Sequence, residues 1–285
     1  YNSVNIDLPE GGDDKYQKAA QLYQTWRNDG ILVKDSEPGI YIYEQEYEYN
    51  GRSYVRSGFV GMLKLEPLGE GMVFPHEKTL SGPKKDRFEL MKACKANFSQ
   101  IFGLFLDPDN RLASIYQEFE QGMPAGAAVD DDGVKHTIWH VNDEKAIKDI
   151  QSLMKDKAIY IADGHHRYET ALMYRDEMRK LNDDMEDEAK PYDYVMMMFV
   201  NFYDPGLMIL PTHRVVDLPA DYKEETFVNA VSEDFIVTKL EADEGAADAF
   251  LEQHEDAGTM VMVTPGGTYG LLLNQELLES LHPVY

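Results

Sequence analysis

Hydrophobic and polar positions follow one another along this chain with two different periods, and each change of period marks the edge of an element. Between residues 13 and 28, Tyr16, Ala19, Ala20, Tyr23 and Trp26 recur every three or four positions before Asp29-Gly30, the pattern of an amphipathic helix with a glycine stop. Residues 39–48 alternate Ile40 and Ile42 with tyrosines, and residues 53–65 resume the alternation after Asn50-Gly51, which predicts a hairpin. The tyrosine face (Tyr41, Tyr43, Tyr47, Tyr49) reads as sheet packing rather than a ligand platform. A very short strand at 72–74 leads into Pro75-His76-Glu77-Lys78-Thr79. Residues 83–105 read as one helix, with Pro83 at the start and Phe88, Met91, Cys94, Phe98 and Ile101 along one side. A turn at 107–110 precedes a shorter helix through Phe119, and the small, acidic residues 123–133 read as a loop. A strand is expected at 136–140 and a helix at 143–154, capped by Asn142 or Asp143.

The sharpest change of period falls between residues 158 and 173, AIYIADGHHRYETALM. The apolar run 158–162 has the length of a buried strand, Asp163-Gly164 interrupts it, and from His166 onward Tyr168, Ala171, Leu172 and Arg175 fall at helical offsets. Strand, tight turn and helix start follow. Beyond lie a charged loop at 181–190, apolar strands at 194–202 and 207–210, and then Pro211-Thr212-His213-Arg214. From about residue 221 the texture changes to helix 224–232, strand 235–239, helix 244–254, strand 259–263, a turn at 265–267 and strand 268–273. The chain is therefore expected to be an α/β protein with a core over residues 1–215 and a small α+β subdomain over 216–285.

Composition narrows the partners. Acidic residues outnumber basic ones 52 to 27, giving a net charge of −25, and no block of lysine and arginine interrupts the acidic background. Such a surface repels nucleic acid and anionic lipid, so neither is expected as a partner. No apolar run approaches the roughly 20 residues that span a bilayer. The single cysteine, Cys94, excludes an internal disulfide and fits a cytoplasmic location. The first residue is Tyr1 rather than methionine, which is what a trimmed N-terminus would give.

The candidate chemistry concentrates at the strand-to-helix turn. A helix start presents unpaired backbone N–H groups and the positive end of the helix dipole, so it can hold an anion. This chain adds Gly164 for close backbone approach, His165 and His166 as donors, and Arg167 as a cationic fork suited to phosphate oxygens. Asp163 beside them could hold a magnesium ion bridging phosphates. Polyphosphate binding is the expectation. The adjacent histidines lack the spacing of a helix-borne metal pair, whereas His165 and Glu169 have it. Glu77, placed after the short strand, could take the proton of a substrate hydroxyl, although Pro75-His76-Glu77 alone says little. Thr212, His213 and Arg214 could contact a phosphate or carboxylate and could equally serve structure. His136, His140, His254 and His282 show no informative spacing.

Two of these stretches, VFPHE and IADGHHRY, resemble motifs of the ParB/sulfiredoxin-like free serine kinases, which carry Pro-His-Glu after one strand and Asp-Gly-His-His-Arg after another. Over nearly its whole length the chain, with AAQLYQTWRNDG, IYIYEQ, FPHEKT, ADGHHRYETAL and LPTHRVV in that order, resembles an uncharacterised prokaryotic family of unknown function with the same core. The resemblance implies a ParB/sulfiredoxin-like mixed sheet with a helical insertion at about 83–155. It implies ADP or ATP with magnesium, the phosphates held by Gly164, His165, His166 and Arg167, and Asp163 at the nucleotide or its metal. Glu77 would be the general base toward a small hydroxylated acceptor such as L-serine, with His76 beside it. The Pro-x-Lys-Ser-Thr segment of family members is missing before Tyr285, so the C-terminal part reads as cut short. Rival readings are a nucleotide-hydrolysing switch without kinase activity, and a metal-dependent hydrolase built on Asp163, His165 and Glu169. A thiol-based reaction is disfavoured, since no cysteine stands in the turn.

Overall fold

The computed structural model describes residues 1–77, 81–182, 188–210, 212–254 and 258–277. Lys78-Thr79, residues 183–187 of the predicted 181–190 loop, Pro211 and His282 lie outside the described residues. The chain divides into two units, Tyr1–Leu210 and Pro211–Tyr285, a few residues ahead of the boundary expected at 215.

The first unit is built on helices Val4–Asp7 (α1), Lys15–Asn28 (α2), Ser81–Cys94 (α3), Ala113–Glu120 (α4), Glu144–Met154 (α5) and His165–Asn182 (α6). Its strands are Ile40–Tyr49 (β1), Arg52–Lys64 (β2), Val73–Pro75 (β3), Ile101–Phe105 (β4), Gly126–Val129 (β5), Lys135–Val141 (β6), Ile159–Asp163 (β7) and Tyr194–Asn201 (β8). They form one mixed sheet in the order β3-β7-β4-β8-β2-β1-β6-β5, in which β3 and β7 run parallel, as do β4 and β8, and the other neighbours are antiparallel. Mixed α and β content in one sheet-centred unit makes the protein α/β.

Alternation decides the two faces of the sheet. Ile42, Phe59, Trp139, Ile161, Met197 and Phe199 are all buried on one face, against Tyr116 of α4, Ile150 of α5 and Tyr168 of α6. Each such side chain contributes about 1.5–3 kcal/mol by leaving water. The opposite face carries a smaller cluster, Leu104, Met198 and Val200, with Tyr43, Phe102 and Tyr160 at its margins. A third cluster joins Ile6, Ala19, Trp26, Leu90 and Cys94 from α1, α2 and α3. The β1–β2 hairpin turns through Asn50 and Gly51, both at positive φ (49° and 72°), as a two-residue hairpin turn demands. Asp143 caps α5 by accepting from the Ala146 amide at 2.8 Å.

Three expectations fail for identifiable reasons. Residues 83–105 are not one helix: α3 ends at Cys94, Lys95 enters the left-handed region (φ 55°), and Ile101–Phe105 becomes a strand between β7 and β8. Phe98 and Ile101 fit a helical offset, but Ile101, Gly103 and Phe105 also fit a strand period, and the vacancy between two apolar strands decides the matter. A Cβ on Gly103 would stand 2.6 Å from Met197 Sδ, so this position is glycine because the neighbouring strand's side chain crosses it. The 123–133 loop contains the edge strand β5, paired with β6. Residues 207–210 are not a strand. The stretch 83–155 is accordingly no helical insertion, since it supplies β4, β5 and β6 to the sheet.

The second unit contains helices Glu224–Val231 (α7) and Glu244–Gln253 (α8) and strands Phe235–Leu240 (β9), Thr259–Thr264 (β10) and Gly267–Leu273 (β11). The strands form an antiparallel sheet in the order β10-β11-β9, with Phe250, Tyr269 and Leu271 buried.

Candidate functional site

Parallel pairing of β3 with β7 puts Val73 beside Ile159, Phe74 beside Tyr160 and Pro75 beside Ile161. Parallel strands deliver the residues that follow them to the same edge of a sheet. His76-Glu77 therefore emerges next to Asp163-Gly164-His165, and the two motifs, far apart in sequence, share one corner.

His165 is the hinge of that corner. Its side chain is buried, with 2% of the residue exposed, and its Nε2 accepts the backbone N–H of His76 at 3.2 Å. Acceptance at Nε2 leaves the proton on Nδ1, which faces Glu77 Oε1 at 3.3 Å. Burial, then the nearby His76, pushes the His165 pKa below the usual histidine value, which favours this neutral tautomer. His76 donates from Nδ1 to the Ile161 carbonyl at 2.7 Å, and the two imidazoles meet edge to face at 4.5 Å. The Glu77 side chain is 54% exposed. It is a carboxylate open to solvent with one oxygen beside a buried imidazole.

Gly164 sits at φ +94°, which ends β7 and turns the chain into α6, where the Tyr168 amide closes the first turn on the Gly164 carbonyl at 3.0 Å. A Cβ there would lie 3.0–3.1 Å from the Arg167 guanidinium, because Arg167 folds back over the turn. Arg167 pairs with the Asp163 carboxylate and donates to the Gln100 carbonyl. His166 is half-buried on the same turn. Glu169 is held by Lys84 at 2.7 Å, tying α3 to α6.

Two predicted roles change. His165, expected as a phosphate donor, instead turns both ring nitrogens toward the His76-Glu77 loop, Nε2 accepting the His76 amide and Nδ1 lying 3.3 Å from Glu77 Oε1. Asp163, His165 and Glu169 do not converge, and among the described residues no three His, Cys, Asp or Glu side chains gather as a metal cluster requires. Thr212, His213 and Arg214 are exposed residues at the beginning of the second unit.

Sequence reasoning missed two parts of the site. Tyr168, fully buried, donates its hydroxyl to the Glu66 carbonyl at 2.9 Å and accepts the Glu66 amide at 3.1 Å, which fixes the first turn of α6 on the chain leaving β2. Burial pushes its pKa up to about 12. The second part is a groove of about 310 Å³ on the sparsely covered face of the sheet, lined by Tyr43, Gln45, Arg56 and Phe102 with Asp163 and Arg167. Tyr43 does pack as the strand pattern implies, stacked on His136, yet it also walls this groove. Arg56 and Phe102 come from other strands than Tyr43, so no local pattern could reveal them. A larger cavity of about 490 Å³ lies on the helix-covered face beneath α5, lined by Ile40, Leu63, Ile147 and Met154, and holds none of these residues.

A profile for proteins of unknown function, DUF1015, matches residues 1–284. The chain belongs to the DUF1015 family. That match spans both units, so the family's sequence pattern includes the corner and the groove together with the small second unit. No curated protein and no solved structure gave a significant match. The function of this DUF1015 protein has to be sought in its own geometry.

Proposed function

We propose that this protein transfers a phosphoryl group from ADP or ATP to the hydroxyl of a small metabolite, with free L-serine as the first candidate acceptor. The observation that carries this reading is the meeting of Glu77 with the DGHHR turn at the ends of two parallel strands. Transfer to an alcohol requires a base for the hydroxyl proton and fixed positive groups for the phosphate charge. Glu77 suits the role of base, since His165 Nδ1 lies 3.3 Å from one oxygen and the other can take the proton. The start of the 18-residue α6 suits the phosphate, with the positive end of the helix dipole at the turn and the Arg167 guanidinium laid over Gly164.

The residues fit a nucleotide tail. Gly164, His166 and Arg167 would hold it, and it would supply the phosphoryl group. Asp163, with a side chain 71% exposed, would take a share of magnesium while keeping Arg167 as its cation. A core related to the ParB/sulfiredoxin-like serine kinases is part of this proposal and rests on the two motifs. The switch reading shares the nucleotide and differs only in lacking an acceptor. The hydrolase reading draws no support, because Glu169 is engaged by Lys84.

The test is calorimetry with ADP and ATP, with and without magnesium, followed by an assay for phosphoserine. Binding of one nucleotide is expected, and Glu77→Gln should lower turnover by about 10²–10⁴ while nucleotide affinity stays within a few-fold. Turnover unchanged in Glu77→Gln removes the base, and absence of nucleotide binding removes the reading.

A further inference from the structure

The groove beside the DGHHR turn contains an arginine, Arg56, that is held by neutral groups. Among the described residues no carboxylate lies within ion-pair distance of it; Asp204, bound by the Ser57 and Gly206 amides, acts on it only through space. The hydrogen bonds of Arg56 go instead to a neutral acceptor: Nε at 3.1 Å and Nη2 at 2.5 Å both donate to Gln45 Oε1. The flat of the guanidinium lies over the Phe102 ring at 5.2 Å. Gln45 occupies the side edge of the fork and Phe102 one flat. The end-on edge, formed by Nη1 and the second hydrogen of Nη2, remains, and that edge binds a carboxylate through two parallel hydrogen bonds.

The neighbours select among anions. Tyr43 faces the same groove, and its hydroxyl meets His136 Nδ1 at 2.6 Å while His136 Nε2 meets Asp130 Oδ2 at 3.0 Å. Asp130 can only accept, so Nε2 carries the ring proton and Nδ1 accepts from Tyr43. The Tyr43 hydrogen is thereby committed, and its oxygen can only accept from a ligand. Asp163 also lines the groove and is an acceptor. Arg167 also lines the groove but spends its guanidinium on Asp163 and the Gln100 carbonyl, so Arg56, facing the Tyr43 oxygen, is the cation left for a small hydroxy or amino acid. A volume near 310 Å³ is at the small end of ligand pockets.

We infer that this groove binds the carboxylate of a small hydroxy or amino acid end-on at Arg56, with the ligand's hydroxyl or ammonium directed to the Tyr43 oxygen. Identifying that acid with the phosphoryl acceptor rests on the function proposed above; the pocket itself does not. Asp163 and Arg167 line the groove and belong to the turn, so an acid held there lies beside the phosphate-binding corner.

The test is calorimetry on the full chain with L-serine, L-lactate, serinol and inorganic phosphate as probes. One of the two acids should bind, and serinol, which lacks the carboxylate, should bind at least tenfold more weakly. Arg56→Met and Arg56→Lys should each weaken the acid tenfold or more, the lysine because it cannot form the paired contact. Thermal melts of both Arg56 variants accompany the titrations, and Tyr43→Phe, which keeps the ring, gives a second handle and should weaken the acid several-fold. Equal binding of serinol and serine, phosphate binding that is lost in Arg56→Met, an Arg56→Lys variant that folds and binds as wild type, or no acid bound at 50 mM overturns the assignment. Acid binding without phosphoryl transfer overturns only the proposed function; transfer with an unaltered KM for the acceptor in Arg56→Lys overturns only the pocket.

Discussion

His165 illustrates how one side chain can carry a site without touching a ligand. Both its nitrogens are turned toward the loop that bears Glu77, and its burial keeps the ring neutral. Stability depends on that neutrality. The folded-state pKa is depressed below the ordinary value of 6.5, so the unfolded chain takes up a proton at this residue before the folded chain does. The state that binds more protons gains as pH falls. The contribution of His165 is therefore fully present above 6.5 and is lost as pH drops through the lowered folded value. Urea melts at pH 7.5 and 5.5 should show a larger loss of stability on acidification for the wild type than for His165→Gln. Equal losses would mean that the imidazole is not buried as a neutral group. Glu77→Gln and Arg56→Lys belong to the same scale, since each alters one functional group and leaves its backbone in place.

Elements bring these residues together, and β4 is the least expected of them. It enters the sheet between β7 and β8 because Gly103 lets Met197 cross it. Gly103→Ala forces a methyl to 2.6 Å from a sulfur in a packed core, and overpacking of this kind costs about 1–3 kcal/mol. Chemical denaturation should read that loss. Because Phe102 is the adjacent residue and floors the Arg56 groove, acid affinity should fall in the same variant. A loss of stability with full acid affinity would mean that the sheet relaxes around the methyl without moving Phe102. The β3–β7 pair works in the same way on the other side of β7, delivering two loops to one corner through three paired residues.

For the whole molecule the dominant quantity is the charge of −25. Self-repulsion at that density opposes the compact state, and salt screens it, with a Debye length of about 10 Å at 0.1 M. Melting temperature should therefore rise between 20 and 300 mM sodium chloride, as followed by circular dichroism. A fall would show that attractive ion pairs such as Lys84–Glu169 outweigh the repulsion. Even in that excess of carboxylates Arg56 is held by Gln45 and Phe102, with Asp204 acting on it only through space.

Local pattern is enough to read the α/β class, the Asn50-Gly51 hairpin, the helix capped by Asp143 and the strand-turn-helix around Gly164. Each depends on residues within a few positions of one another, and local sterics and hydrogen bonding act at that range. The sequence also marks Glu77 and the DGHHR turn as chemistry, because their residue types are costly to gather for packing alone. Only the tertiary structure decided that they meet, through the parallel pairing of β3 and β7. It alone turned Ile101–Phe105 into a strand and gathered Tyr43, Gln45, Arg56 and Phe102 around one groove. Strand order is fixed by which apolar faces can be buried together, a property of the whole sheet, and for that reason no single segment of the chain records it.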